Sequence, residues 1–146
     1  MRQAAEAGGF RLRKHQRLKL GRDFLRLRNE GGRVAQGCLI VNWLPRPEGQ
    51  RSRIAVVAGR KLGRATVRNR ARRLLREVFR LHQWDLAPPV DLVLVARPSI
   101  VDKGYGDVEA DFLLAMRRAG LLKEQRQQLE SPLAKAQDIS QSPPVS

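Results

Sequence analysis

The chain has 146 residues, 42% of them apolar, and carries 29 Lys and Arg against 14 acids for a net charge of +15. That length suits one domain with tails, and that charge favours an anionic partner, nucleic acid first and an anionic membrane surface second, while opposing self-association. No stretch approaches the ~18 apolar residues of a membrane span, and no apolar segment follows the basic N-terminus to act as a secretory signal.

Residues 1–16, "MRQAAEAGGFRLRKHQ", are polar and basic and read as a flexible arm. In "LKLGRDFLRLRNEGG", Leu20, Phe24 and Leu27 recur at near-helical spacing and Gly31-Gly32 supply a stop, which predicts a helix over Arg22–Glu30. "RVAQGCLIVNWLP" is rich in Val, Ile, Leu and Trp and reads as one strand. Pro45 to Gln50 is turn chemistry, and "RSRIAVVAG" follows as a second strand. The two strands are expected to form an antiparallel hairpin. Cys38 sits in the first as a small buried residue, with no partner for an internal disulfide. One Cys with His15 and His82 does not make a zinc site.

Val67, Ala71, Leu74, Leu75, Val78 and Phe79 fall at i, i+4, i+7, i+8, i+11 and i+12, the apolar face of a long helix that Thr66 is placed to cap. Pro88-Pro89 forbids its continuation. "VDLVLVAR", Val90 to Arg97, is the near-unbroken apolar run of a strand covered on both faces. A last helix is expected over Asp107–Gly120, with Val108, Phe112, Ala115, Met116 and Ala119 buried and its acids and bases arranged to suit the helix dipole. The Gln-, Ser- and Pro-rich residues 123–146 read as a disordered tail. The order is thus α, β, β, α, β, α, with a parallel crossover around the long helix, right-handed by the general rule.

That helix is the unusual element. From Arg60 to Arg80 there are nine bases (Arg60, Lys61, Arg64, Arg68, Arg70, Arg72, Arg73, Arg76, Arg80) and one acid, Glu77. Arg68, Arg72, Arg76 and Arg80 form one i, i+4 row. Each like-charge neighbour pair costs on the order of 0.2–0.5 kcal/mol, and arginines in the first turn oppose the dipole. A merely solvated face mixes signs; this one does not. Arginine's planar fork matches phosphate oxygens, and a helix start adds free N–H groups. A DNA reader would interleave Asn, Gln and Ser for base edges, whereas nearly uniform arginine reads backbone.

"GRKLGRATVRNRARRLLREVFR", Gly59 to Arg80, resembles the signature of the bacterial ribonuclease P protein subunits, with Arg68-Asn69-Arg70 at its centre, Arg60-Lys61 and Gly63 before it and Arg-Arg-Leu-Leu-Arg after it. "RLKLGRDFLRLRNEG" and "RVAQGCLIVNW" sit where that family has its first helix and strand. The resemblance covers Arg17 to Leu122. It implies an α+β fold, an α-β sandwich like the second domain of ribosomal protein S5, with a left-handed βαβ crossover carrying the basic helix. It implies a single RNA-binding domain over 17–122 and a protein that binds a catalytic RNA and the 5′ leader of precursor tRNA. The RNA would cut the phosphodiester bond with Mg2+, and the protein itself would hold no cofactor, metal or catalytic residue.

By the same resemblance, Arg60, Lys61, Arg64, Arg68, Asn69 and Arg70 match positions that face the catalytic RNA. Arg72, Arg73 and Arg76 match the flank beside the leader cleft, and Phe24 matches an aromatic lining it. Two family aromatics are replaced here, by Arg28 and by Asn42, which has Trp43 next to it. The leader would then be held more by charge than by stacking, which contributes roughly 1–3 kcal/mol per base. The single cysteine reads as an intracellular, reduced and so cytoplasmic setting, and the charge self-repulsion argues for a monomer, in a 1:1 complex with RNA. A structural RNA-binding protein of ribosomal type is the alternative.

The acids Asp85, Asp91, Asp102, Asp107, Glu109 and Asp111 read as loop or helix-start residues and not as the clustered carboxylates of a metal nuclease. His15 and His82 are expected to be exposed or close to RNA, and "GRKLG" lacks P-loop spacing.

Overall fold

The computed structural model describes residues 16–18 and 21–123. The expected arm and tail therefore lie outside the described residues, apart from Gln16 and Lys123. Gln16, counted with the arm, is instead 1% exposed and donates from its amide to Gln83 Oε1 at 2.8 Å.

The fold is mixed α+β, with three helices on a four-stranded sheet among the described residues. The chain runs α1 (Arg22–Glu30), β1 (Gly32–Gln36), β2 (Leu39–Pro45), β3 (Arg53–Val57), α2 (Ala65–His82), β4 (Val90–Ala96) and α3 (Tyr105–Ala119), with short 3-10 turns at Arg60–Leu62, Gln83–Asp85 and Pro98–Asp102. The sheet order is β1-β2-β4-β3.

The single strand expected over residues 33–45 is two strands. Gly37, at φ +54, opens a two-residue turn, and Gln36 pairs with Leu39 across it. Glycine in the first turn position with positive φ is what a tight hairpin requires. Cys38 is therefore in the turn, 1% exposed. The expected hairpin between the Val/Ile/Leu/Trp strand and "RSRIAVVAG" does not form either. The Pro45–Gln50 loop carries the chain past the place beside β2 that β4 takes. β3 then pairs with β4 in parallel, Arg53 against Asp91 through Val57 against Val95, while β2 pairs with β4 antiparallel.

β4 is central, and six of its seven residues are buried, which explains the unbroken apolar run. One face of the sheet carries Val41, Trp43, Ile54, Val56, Leu92 and Leu94 against α2 and α3. The other carries Leu44, Ala55, Val57, Val93 and Val95 against α1, through Leu27 and Phe24.

α2 buries Ala71, Leu75, Val78 and Phe79, as its spacing predicts. Full burial of a Leu or Phe side chain contributes about 1.5–3 kcal/mol. Two such residues suffice to offset several like-charge pairs on the opposite face. Thr66 does not cap the helix: Arg64 holds the N-cap position, and no side chain caps it. α3 starts two residues before its expected boundary and ends at Gly120, whose φ of +74 lets the Gly120 and Leu121 amides donate back to Arg117 and Met116.

Asp111 on α3 accepts the Cys38 amide at 3.0 Å, tying the β1–β2 turn to the helix. Burial first, then the Asp111 carboxylate, pushes the Cys38 thiol up to about 12. The protonated thiol is a poor nucleophile. Labelling by a thiol reagent at neutral pH should therefore be slow in the folded protein and rapid in denaturant; equal rates would contradict this environment.

Candidate nucleic-acid interface

Three surfaces converge around the end of β3 and the start of α2. The first is the helix start itself. Gly63, at φ +125, turns the chain into α2, and Arg64 is extended at its N-cap. The first helical hydrogen bond runs from the Arg68 amide to the Arg64 carbonyl at 3.0 Å. The amides of residues 65–67 precede it and have no acceptor within the helix, an arrangement suited to an anion. Arg60, Lys61 and Arg64 are exposed around them. Arg68 is half-buried, and its Nε has no hydrogen-bond partner among the described residues. Arg70 donates to the Lys103 carbonyl at 2.7 Å, so part of its guanidinium braces the helix against the turn after β4.

Arg68, Asn69 and Arg70 do not share one face. Successive helical residues turn by about 100°, and Asn69 accepts from Arg72 Nη1 at 2.8 Å. Asn69 thus belongs with the second surface, a groove of about 390 Å³ along the α2 flank, lined by Asn69, Arg72, Arg73, Arg76, Glu77 and Arg80. Arg72 also reaches the Ala58 carbonyl at 3.3 Å, joining this flank to the end of β3. Burial lowers the Arg76 pKa, and the charges of Arg17 and Arg72 lower it further. Arg17 lies on the β3 edge, bridged to Ile54, so it extends the cationic flank along the sheet. Glu77 is occupied by Arg80, which holds it at 2.9 and 2.6 Å.

The third surface is the α1 side of the sheet. Phe24 packs there with Leu18, Leu27 and Val93 beside half-buried Ala55, Val57 and Val95. Strand alternation puts Asn42 on this side with Leu44 and sends Trp43 to the other. Trp43 packs against the main core and lies over its cross-strand partner Gly32, where a Cβ would fall 2.3 Å from its ring. Of the two neighbours, Asn42 alone borders the α1 cleft. Arg28 is exposed in the last turn of α1.

Sequence reading missed the charged end of this cleft. Asp91, grouped with the loop and helix-start acids although the expected strand Val90 to Arg97 contains it, lies on β4, 1% exposed. Arg53 donates to both its oxygens at 2.8 Å, and Arg46 Nε lies 3.4 Å away. The Asp91 hydrogen bond raises the Arg53 pKa, whereas burial, then Arg53, lowers that of Arg46. Two guanidiniums on one carboxylate leave a net positive charge. An alternating strand with Arg and Asp at matched positions was the available signal, but it required the β3–β4 pairing.

His82 is not free toward RNA. Its side chain is 13% exposed, with Asp85 at 2.9 Å from Nδ1 and Glu109 at 2.7 Å from Nε2. Among the described residues no group of three or more potential ligands could hold a metal ion, and no helix is long and apolar enough to cross a membrane.

The Ribonuclease P family model matches residues 12–120. The ribonuclease P protein component of a Geobacillus strain is 34% identical over 112 residues, covering 77% of this chain and 97% of the relative. That of Thermus aquaticus is 39% identical over 108 residues, covering 73% of this chain and 61% of the relative. The solved ribonuclease P protein from Thermotoga maritima superposes with a TM-score of 0.61 at 31% identity, covering 69% of this chain and 96% of that one. These matches do not favour the ribosomal-type alternative. The chain belongs to the ribonuclease P protein components, the protein subunits of the ribonucleoprotein that processes tRNA 5′ ends.

Proposed function

We propose that the chain binds the catalytic RNA through the start of α2 and guides the 5′ leader of precursor tRNA along the α1 side of the sheet. The observation that carries this reading is the uncapped, arginine-lined start of α2, joined by Arg72 to the end of β3. The helix start offers amides and forks to a folded RNA's phosphates. The cleft offers Phe24 for one base and an otherwise aliphatic and polar floor, so leader binding rests mainly on charge. The RNA subunit with Mg2+ supplies the chemistry; the protein contributes affinity and charge neutralisation, as a monomer in a 1:1 cytoplasmic complex.

The test is reconstitution. The full chain, added to a bacterial ribonuclease P RNA at low magnesium, stimulates cleavage of a precursor tRNA and cleaves nothing alone. Folded protein that gives no stimulation, or activity that survives without RNA, would overturn the reading.

A further inference from the structure

A second cavity lies at the opposite end of β3 from the start of α2, under the loop that precedes the strand. It measures about 130 Å³, and its lining includes Gln16, Arg51, Ser52, Gln83, Trp84 and Lys123. No acid lines it among the described residues. Arg51 places its guanidinium carbon 4.7 Å from the centroid of the Trp84 ring. That stacking leaves the edge of the fork free to donate. Yet Nε and Nη2 of Arg51 are buried and have no hydrogen-bond partner among the described residues.

Two other arginines present this same edge. Arg53 donates from Nε and Nη2 to the two oxygens of Asp91, and Arg80 does so to Glu77. Arg51 has the geometry and the burial without the oxyanion. A buried donor left unpaired costs about 1–3 kcal/mol, more when charged. Most of the surrounding polar groups are already committed to one another. The Gln16 amide donates to Gln83, the Gln83 amide to the Arg80 carbonyl, and the Ser52 hydroxyl accepts from the Val90 amide. They shape the cavity and leave the fork for a ligand.

We propose that this cavity is a phosphate-binding site, with the Arg51 fork taking two phosphate oxygens and Lys123 supplying charge at the rim. The volume falls well below that of pockets for drug-sized ligands, so it admits a single tetrahedral oxyanion and not a whole nucleotide. The recognition chemistry is the same whether an RNA backbone or a free phosphate supplies the group.

The experiment is a titration of the free full-length protein with inorganic phosphate, followed by NMR at the Arg51 Nε–H and the Trp84 indole N–H. Both resonances should move saturably. The movement should vanish in Arg51→Gln and persist in Arg68→Ala, which separates this site from the α2 surface. Arg51→Lys keeps the charge but loses the fork, and should bind roughly tenfold more weakly or worse. Resonances that stay still in the parent protein, which needs no variant to fold, would overturn the proposal and leave a water-filled cavity. The source follows from RNA binding. If Arg51→Gln lowers the salt slope by about one unit, the site takes a backbone phosphate. An unchanged slope beside a saturable titration identifies a free phosphate.

Discussion

Asp91→Ala destabilises the protein by about 3–5 kcal/mol, enough to lower the thermal midpoint by roughly 15 °C or more in a domain of this size. Asp91 is 1% exposed and sits on the central strand, directly beside Arg53 in the parallel β3–β4 register. Removing it takes the counter-charge from Arg53, which makes two bonds to it, and from Arg46, 3.4 Å away. Both side chains are more than three-quarters covered, with 23% and 17% of their surface exposed. Neither can fully return to water without disturbing the strand ends, and they repel each other once the carboxylate is gone. Arg53→Ala should cost less, because Arg46 still faces Asp91. Denaturant unfolding followed by circular dichroism measures both. A loss within ~1 kcal/mol for Asp91→Ala would show that the three groups pair in water as surface charges do and do not support the sheet.

This ion group also marks what the sequence could not disclose. The helices were legible because their signal is local. α2 repeats its apolar spacing over 18 residues, and α1 is bounded by the glycines after it, so both appear where the spacing puts them. β4 was legible because only a strand enclosed on both faces tolerates such a run of Val and Leu. Pairing is not local. The turn residues between Pro45 and Gln50 look the same whether the next strand folds back beside β2 or crosses to the far side of β4. Gly37 was a lone glycine in an apolar run, a pattern that marks a bulge as readily as a turn. The role of Asp91 was hidden even though its strand was legible, because its partner Arg53 is 38 positions earlier and comes alongside only through that unforeseen pairing. At the candidate interface, charge and helical register singled out the arginines of α2. Helical rotation then decided that Asn69 joins Arg72 on the flank, and strand alternation that Asn42 borders the α1 cleft.

The combined replacement of Arg72, Arg73 and Arg76 by alanine should flatten the dependence of log affinity on log salt by about three units, one for each lost phosphate contact. It should do so without unfolding the protein. All three guanidiniums line one groove with Asn69, and their neighbours Arg17 and Arg80 carry the same sign. In the free protein these charges oppose one another, and Glu77, already held by Arg80, offers them little relief. An RNA backbone replaces that repulsion with attraction and releases its condensed cations, so the gain grows as salt falls. The same substitutions remove like-charge neighbours from an exposed helix face and install a strong helix former. Stability in the absence of RNA should therefore hold or rise slightly, even though Arg72 gives up its bonds to Asn69 and the Ala58 carbonyl. Affinity for ribonuclease P RNA, measured across a salt series beside thermal unfolding of the free protein, separates the two effects. A slope unchanged from the parent protein would remove the flank from the RNA interface. Lost stability with an unchanged slope would make these arginines part of the scaffold.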